Sequence, residues 1–159
     1  MYNTNHSLET FWFLLQACPC LLAAARTGDV NRTKILVKYA SENCTEDDEH
    51  RDTPLMYAAA NGHVEVLRVL LEGGANADRS NADRRTALHF AAWNGELEVC
   101  RLLLDKGAKV DPVDEWRDTP LHDATLTGRL SVVKLLVERG AHVGVRKNDG
   151  QTASDVARS

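Results

Sequence analysis

A cationic excess, long apolar runs and abundant glycine or proline are all missing from this chain. Lys and Arg number 19 against 23 Asp and Glu, a formal net charge of −4 at pH 7. There is thus no general basic surface, and nucleic acid is not the expected partner. No apolar stretch approaches the ~18–20 residues that a membrane span requires, so no membrane association is expected. Only 10 Gly and 4 Pro occur in 159 residues, which sets aside collagen-like and low-complexity architectures. Hydrophobic residues make up 43%, enough to bury a core and to exclude a mostly disordered chain. The length fits one domain, two at most.

Targeting and redox signals are equally thin. The apolar stretch Phe11-Trp12-Phe13-Leu14-Leu15 has no basic residue before it, the first being Arg26, whereas a secretory signal starts with positive charge. The four cysteines, Cys18, Cys20, Cys44 and Cys100, show no paired spacing of a disulfide framework. Cys18-x-Cys20 lacks the second Cys/His pair that a thiolate metal site needs. Free thiols in a reducing compartment are expected: the cytoplasm, with the nucleus as alternative.

What is present is a period. Thr53, Thr86, Thr119 and Thr152 are each 33 residues apart, and Gly62, Gly95 and Gly128, Leu70, Leu103 and Leu136, and Gly74, Gly107 and Gly140 keep the same step. Such self-similarity marks a stacked-repeat architecture. The units open Thr53-Pro54-Leu55-Met56, Thr86-Ala87-Leu88-His89 and Thr119-Pro120-Leu121-His122. Thr can cap the first N–H groups of a helix and Pro suits its first turn. A small pair follows (Ala58-Ala59, Ala91-Ala92, Ala124-Thr125), then a Gly, then a run such as Val64 to Leu71 with apolar residues at helical spacing. Each unit therefore predicts two short helices.

The Thr-Pro-Leu-His motif on this period resembles the ankyrin repeat, over roughly residues 20 to 159. The resemblance implies an all-α ankyrin-repeat solenoid of stacked helix-turn-helix units joined by hairpin-like loops. Full repeats are expected at 52–84, 85–117 and 118–150, after a degenerate unit at 18–51 in which Leu21 to Gly28 aligns with Leu55 to Gly62 at an offset of 34. A C-terminal half repeat takes 151–159, either a cap or the point at which a longer chain was cut. Residues 1–17 have no counterpart in the repeat. Leu8, Phe11, Trp12 and Leu15 share one helical face behind a possible Ser7 cap, so a capping helix over the first unit is expected; a docking helix and an unstructured leader are the alternatives.

No catalytic constellation stands out. There is no glycine-rich phosphate loop, nucleophile elbow or His-Glu-x-x-His. His89 and His122 occupy the family's motif position, where the ring ties neighbouring repeats through backbone hydrogen bonds; His63 is another routine position. Neither cofactor nor metal is expected. The run Glu46-Asp47-Asp48-Glu49 reads as a solvated acidic loop.

In the resembled family, partners meet the loop tips and the outward positions of each first helix. Here those columns read Tyr57, Phe90, Asp123 and Ala60-Asn61, Trp93-Asn94, Leu126-Thr127, with loop tips at Glu49-His50, Ala82-Asp83, Glu115-Trp116 and Asn148-Asp149. Four of the chain's nine aromatics (Tyr57, Phe90, Trp93, Trp116) fall on this face, and exposed Trp and Tyr are common hot spots. Arg51, Arg84 and Arg117 stand where the family usually has a left-handed Gly, so either the loops are remodelled or a cost on the order of 1 kcal/mol is offset. The next column, Asp52, Arg85, Asp118, alternates in sign and could pair between units.

The expected function is a non-enzymatic protein-protein interaction module, monomeric, binding another protein through Tyr57, Phe90, Trp93, Asn94, Trp116, Arg84, Arg117, Asp123 and Leu126. Two alternatives remain open: an inhibitor of a partner enzyme such as a kinase, since ankyrin-type cyclin-dependent kinase inhibitors are similar in size, or the recognition domain of a larger enzyme such as a ligase or methyltransferase.

Overall fold

Each repeat begins at a threonine whose side chain does what its position predicts. In the computed structural model, which describes residues 17–39, 44–45 and 50–157, the Oγ1 atoms of Thr53, Thr119 and Thr152 accept the backbone N–H of Met56 (3.3 Å), His122 (3.4 Å) and Asp155 (3.3 Å). These bonds satisfy N–H groups that the first helical turn leaves open. The helices so started are α3 (Pro54–Ala60), α7 (Pro120–Leu126) and α9 (Ala153–Val156), with α5 (Ala87–Asn94) behind Thr86. α3, α5 and α7 are each followed by an antiparallel partner: α4 (Val64–Glu72), α6 (Leu97–Asp105) and α8 (Leu130–Glu138). Before them lie α1 (17–27) and α2 (Val30–Leu36). Gly95, at φ 84°, closes α5 in the left-handed region that a side chain would strain.

The helices stack in two layers. First helices pack α3 on α5, α5 on α7 and α7 on α9; second helices pack α2 on α4, α4 on α6 and α6 on α8. The alanine pairs allow the close approach, Ala58, Ala59, Ala91, Ala92 and Ala124 all being fully buried. Leu67, Leu103 and Leu136 fill the space between layers, so one core runs the length of the stack. Burying one such side chain contributes roughly 1.5–3 kcal/mol. No strand forms among the described residues; Ser80 and Thr86, and Arg146 and Thr152, make isolated antiparallel bridges at the hairpin-like loops. This is the expected all-α solenoid.

Three expectations need correction or completion. Cys18 and Cys44 are not free thiols: they form a disulfide, their Cα atoms 5.3 Å apart across 26 residues of sequence. Cys44, which follows α2 in sequence, meets Cys18 on α1, a proximity that no local spacing encodes. Cys20 and Cys100 do remain thiols, and burial pushes that of Cys100 up to about 12. The loops are not remodelled to spare the arginines. Arg51, Arg84 and Arg117 adopt φ 57°, 62° and 65°, holding the place that Gly150 takes at φ 84°. The capping helix expected from Leu8, Phe11, Trp12 and Leu15, and the acidic run Glu46 to Glu49, lie outside the described residues.

Candidate partner interface

Backbone bonds tie the loop tips into a row. Ala82 N–H donates to His50 O (2.8 Å), Glu115 N–H to Asp83 O (3.1 Å) and Asn148 N–H to Trp116 O (3.0 Å). The tips thus hold a fixed spacing along one edge of the stack, and Trp116 is presented from this row with 49% of its surface exposed. Below, His89 reaches across the unit boundary. Its Nδ1 accepts the Thr86 N–H (3.1 Å) while Nε2 donates to Asp118 O (3.1 Å). Burial lowers its pKa to about 4, which keeps the ring neutral with one nitrogen free to accept. His122 makes the same local bond to Thr119 N–H (3.2 Å), but its Nε2 finds no hydrogen-bond partner among the described residues.

The outward column of the first helices is occupied by arginine. The guanidinium of Arg26 lies over the Tyr57 ring at 4.4 Å from its centroid, and that of Arg85 lies 5.1 Å from Phe90 and 5.7 Å from Trp93. Tyr57 and Phe90 are consequently half-buried, whereas Trp93 remains 41% exposed. Arg85 also donates to Asp123 Oδ2 at 2.6 Å, and the Asp123 carboxylate is buried. The expected pairing within the Asp52, Arg85, Asp118 column therefore does not form. Arg85 spans to the next first helix instead, while Asp52 accepts from Asn81 Nδ2 (2.7 Å) and Asp118 lies 3.4 Å from Lys147 Nζ.

Asp123 is the most perturbed carboxylate of the face. Burial pushes its pKa up to about 7, Arg85 pulls it part of the way back, and Asp114 and Asp118 add to the rise. A carboxylate so enclosed offers little to a partner directly; it fixes Arg85, and Arg85 in turn braces Trp93 from one side.

The remaining expected contact residues are distributed around this centre. Leu126, at the register position of Trp93 on the neighbouring helix, is 55% exposed. Asn94 is exposed but turns its Nδ2 back to Phe90 O (3.0 Å). Arg84 and Arg117 are exposed on the loops, and Arg117 Nε donates to Arg146 O (3.3 Å). The structure adds apolar surface that the aromatic reading passed over. Leu130 and Val137 are 72% and 47% exposed, although Val64 and Leu97, and Leu71 and Leu104, are part-buried at the same register in earlier units, where a following second helix covers them. Among the described residues there is no group of His, Cys, Asp and Glu that could hold a metal ion, and no helix long and apolar enough to cross a membrane.

Paired helices stacked on a 33-residue period, with hairpin tips in a hydrogen-bonded row, define a helical repeat solenoid built for protein recognition. The family model for ankyrin repeats matches three times, over residues 3–81, 21–114 and 73–147, and the chain belongs to the ankyrin-repeat family, a protein-protein interaction module. It is 36% identical to human Palmitoyltransferase ZDHHC17 over 63 residues, 40% of this chain and 10% of that protein. It is 43% identical to human Ankyrin repeat domain-containing protein 39 over 56 residues, 35% of this chain and 30% of that one. A rice protein named "Probable E3 ubiquitin-protein ligase XBOS32" is 37% identical over 62 residues, 38% of this chain and 12% of its own length. The matched segments span between a tenth and a third of these curated relatives.

Proposed function

We propose that the chain is a non-enzymatic recognition module that binds a protein partner across Trp93, Trp116 and Leu126, flanked by Tyr57, Phe90, Asn94, Arg84 and Arg117. The observation that carries this reading is the exposure of two tryptophans, 41% and 49%, one braced by Arg85 and the other held in the hydrogen-bonded row of tips. Rigid, amphipathic side chains of this kind lose little conformational entropy on binding and supply large contact area. Asp123 belongs to the face as the group that positions Arg85. We take the units as 18–51, 52–84, 85–117, 118–150 and 151–159 behind a capping segment at 1–17, and the module as a monomer. We place the module in a reducing compartment, cytoplasm or nucleus, in which Cys20 and Cys100 stay thiols.

The test compares wild type with Trp93→Ala/Trp116→Ala in parallel pull-downs read by mass spectrometry, then in affinity measurements on the captured protein. A loss of 2 kcal/mol or more, about 30-fold, is expected with the helical circular-dichroism spectrum intact. Unchanged affinity overturns the site.

A second reading is that this module recognises substrate for a larger enzyme. It draws support from the relatives named as a palmitoyltransferase and a ubiquitin ligase, in which the matched segment is about a tenth of the length. Sequencing the complete reading frame decides it.

A further inference from the structure

The first unit is packed differently from those that follow. At the offset of 34 residues, Arg32 takes the place of Val66, Val99 and Val132, and Thr33 that of Leu67 and Cys100. The three valines are buried, whereas Arg32 is exposed; Thr33 is enclosed but spends its hydroxyl on Asp29 O at 2.7 Å. Helix α2 therefore buries only Thr33 and Leu36, where α4 and α8 bury three side chains each and α6 buries four. A cleft lined by Leu21, Val37, Leu55, Leu70, Gly73 and Ala75 runs between this unit and the next. The same unit has the Cys18–Cys44 disulfide, between α1 and the connection that leads into the second unit.

We propose that Cys18–Cys44 is a reversible thiol-disulfide site that holds the first unit closed, tying α1 to the connection that follows α2. It lies in the unit whose second helix, α2, buries fewer side chains than α4, α6 or α8, and the chain keeps a further thiol, Cys20, part-exposed beside it. In the reducing compartment proposed above, a disulfide of this kind cycles rather than persists. The reductant is a dithiol. Its first thiolate attacks the Sγ of Cys18, the more exposed of the two sulfur-bearing residues, and Cys44 leaves as a thiolate that takes up a proton. The second thiol of the reductant, losing its proton, then attacks the mixed disulfide, forms the reductant's own disulfide and releases the Cys18 thiol. Two electrons pass from dithiol to protein, and a disulfide oxidant reverses the exchange. Cys20 cannot stand in for Cys18, because residues two apart on a helix point to opposite sides.

The clamp reaches the binding face through α1. Arg26, at its C-terminal end, covers Tyr57 at 4.4 Å, and its carbonyl accepts from His63 Nε2 at 3.1 Å. Releasing the first unit uncovers Tyr57 and loosens this edge; that consequence rests on the binding reading, whereas the clamp itself does not.

The experiment uses the full chain purified without reductant. Denatured and treated with N-ethylmaleimide, it should take two adducts before reduction and four after. Hydrogen exchange is then followed in the oxidised chain, the chain reduced with dithiothreitol, and Cys18→Ser/Cys44→Ser. Amides in α1 and α2 should exchange at least tenfold faster in the latter two, while α5 to α8 stay within twofold and serve as the check that the stack is folded. Reoxidation with glutathione disulfide should restore the slow rates, and Cys20→Ser should behave as wild type. Four adducts without reduction, exchange in α1 and α2 unmoved by reduction, or failure to reoxidise each overturns the proposal. If exchange responds and partner affinity does not, the clamp stands and the role of Tyr57 in binding falls.

Discussion

The first and third units share a topology and the leucine and alanine columns of its core, but differ in what else holds it. In the third unit, α5 and α6 bury Ala87, Leu88, His89, Ala91 and Ala92 on one helix and Val99, Cys100, Leu102 and Leu103 on the other. His89 bonds at once to its own cap and to Asp118 of the next unit, so its place is fixed from both sides of the boundary. The first unit has no such bridge at the corresponding position, where the aligned residue is Leu22. It substitutes Arg32 and Thr33 for core residues and carries a covalent link. A repeat's fold is set by where caps and turns fall; its hold on the stack is set by what fills the columns, and the two can be varied separately. In a stack whose units contact only their neighbours, such a weakness stays local.

The largest expected effect attacks the well-packed side of this contrast. Leu103 is fully buried at the centre of the core, and Leu103→Ala leaves a cavity that tight surroundings cannot close. A loss of about 3–5 kcal/mol is expected, the upper range for such truncations. Leu36→Ala, its counterpart in α2 at 7% exposure on a helix that buries only one other side chain, should cost about 1–2 kcal/mol less. Urea midpoints of both variants check this. Equal losses would mean that the first unit is packed as tightly as the third, and the contrast would fail.

A second test uses pH, because the third and fourth units enclose ionisable groups. Asp123 has its pKa raised to about 7 in the folded chain, so between the ordinary carboxylate range and pH 7 the folded state binds the extra proton. Stability from this group therefore falls as pH rises through that window and is flat above it, by up to about 4 kcal/mol at ~1.4 kcal/mol per unit. His89 acts in the opposite sense. Its pKa of about 4 lies below the unfolded 6.5, so its contribution is lost as pH falls from 6.5 toward 4. Comparing wild type with Asp123→Asn removes the histidine from the difference. The wild type should lose ground on the variant between pH 4 and 7, with Arg85 left without its counter-charge in the variant at every pH. A difference that does not change with pH overturns the assignment.

How much of this could be read in advance depends on whether a feature repeats. The Thr caps, the alanine pairs and the leucine columns recur, and from them followed the helix pairs and the solenoid. Contacts that occur once left no period to read. Yet both non-repeating features are marked by residues that break a column. Arg85 is the lone cation between Asp52 and Asp118, and Asp123 the lone carboxylate after Tyr57 and Phe90; the two exceptions find each other at 2.6 Å. Arg32 and Thr33 likewise break apolar columns in the unit that contains the disulfide. The exposed tryptophans were legible as departures of the same kind. The partial covering of Tyr57 and Phe90 by arginines was not, because it depends on side chains reaching in from Arg26 and from the hairpin.

The smallest expected effect concerns the loops, where three of the four equivalent positions break the same rule. Arg84 stands at φ 62° with its side chain exposed, so replacing it by Gly relieves the clash of Cβ with the backbone while losing little else. Against this relief stands the greater freedom that Gly brings to the unfolded chain, so the net gain should be at most about 1 kcal/mol. Arg117→Gly starts from nearly the same angle, φ 65°, but also gives up the bond from Nε to Arg146 O, and should come out closer to neutral. Thermal midpoints of the two variants measure the difference. If Arg84→Gly is destabilising, its guanidinium makes a contribution to the folded loop that outweighs the strain. If it is stabilising yet weakens partner binding, the arginine is retained for recognition at a cost to the fold.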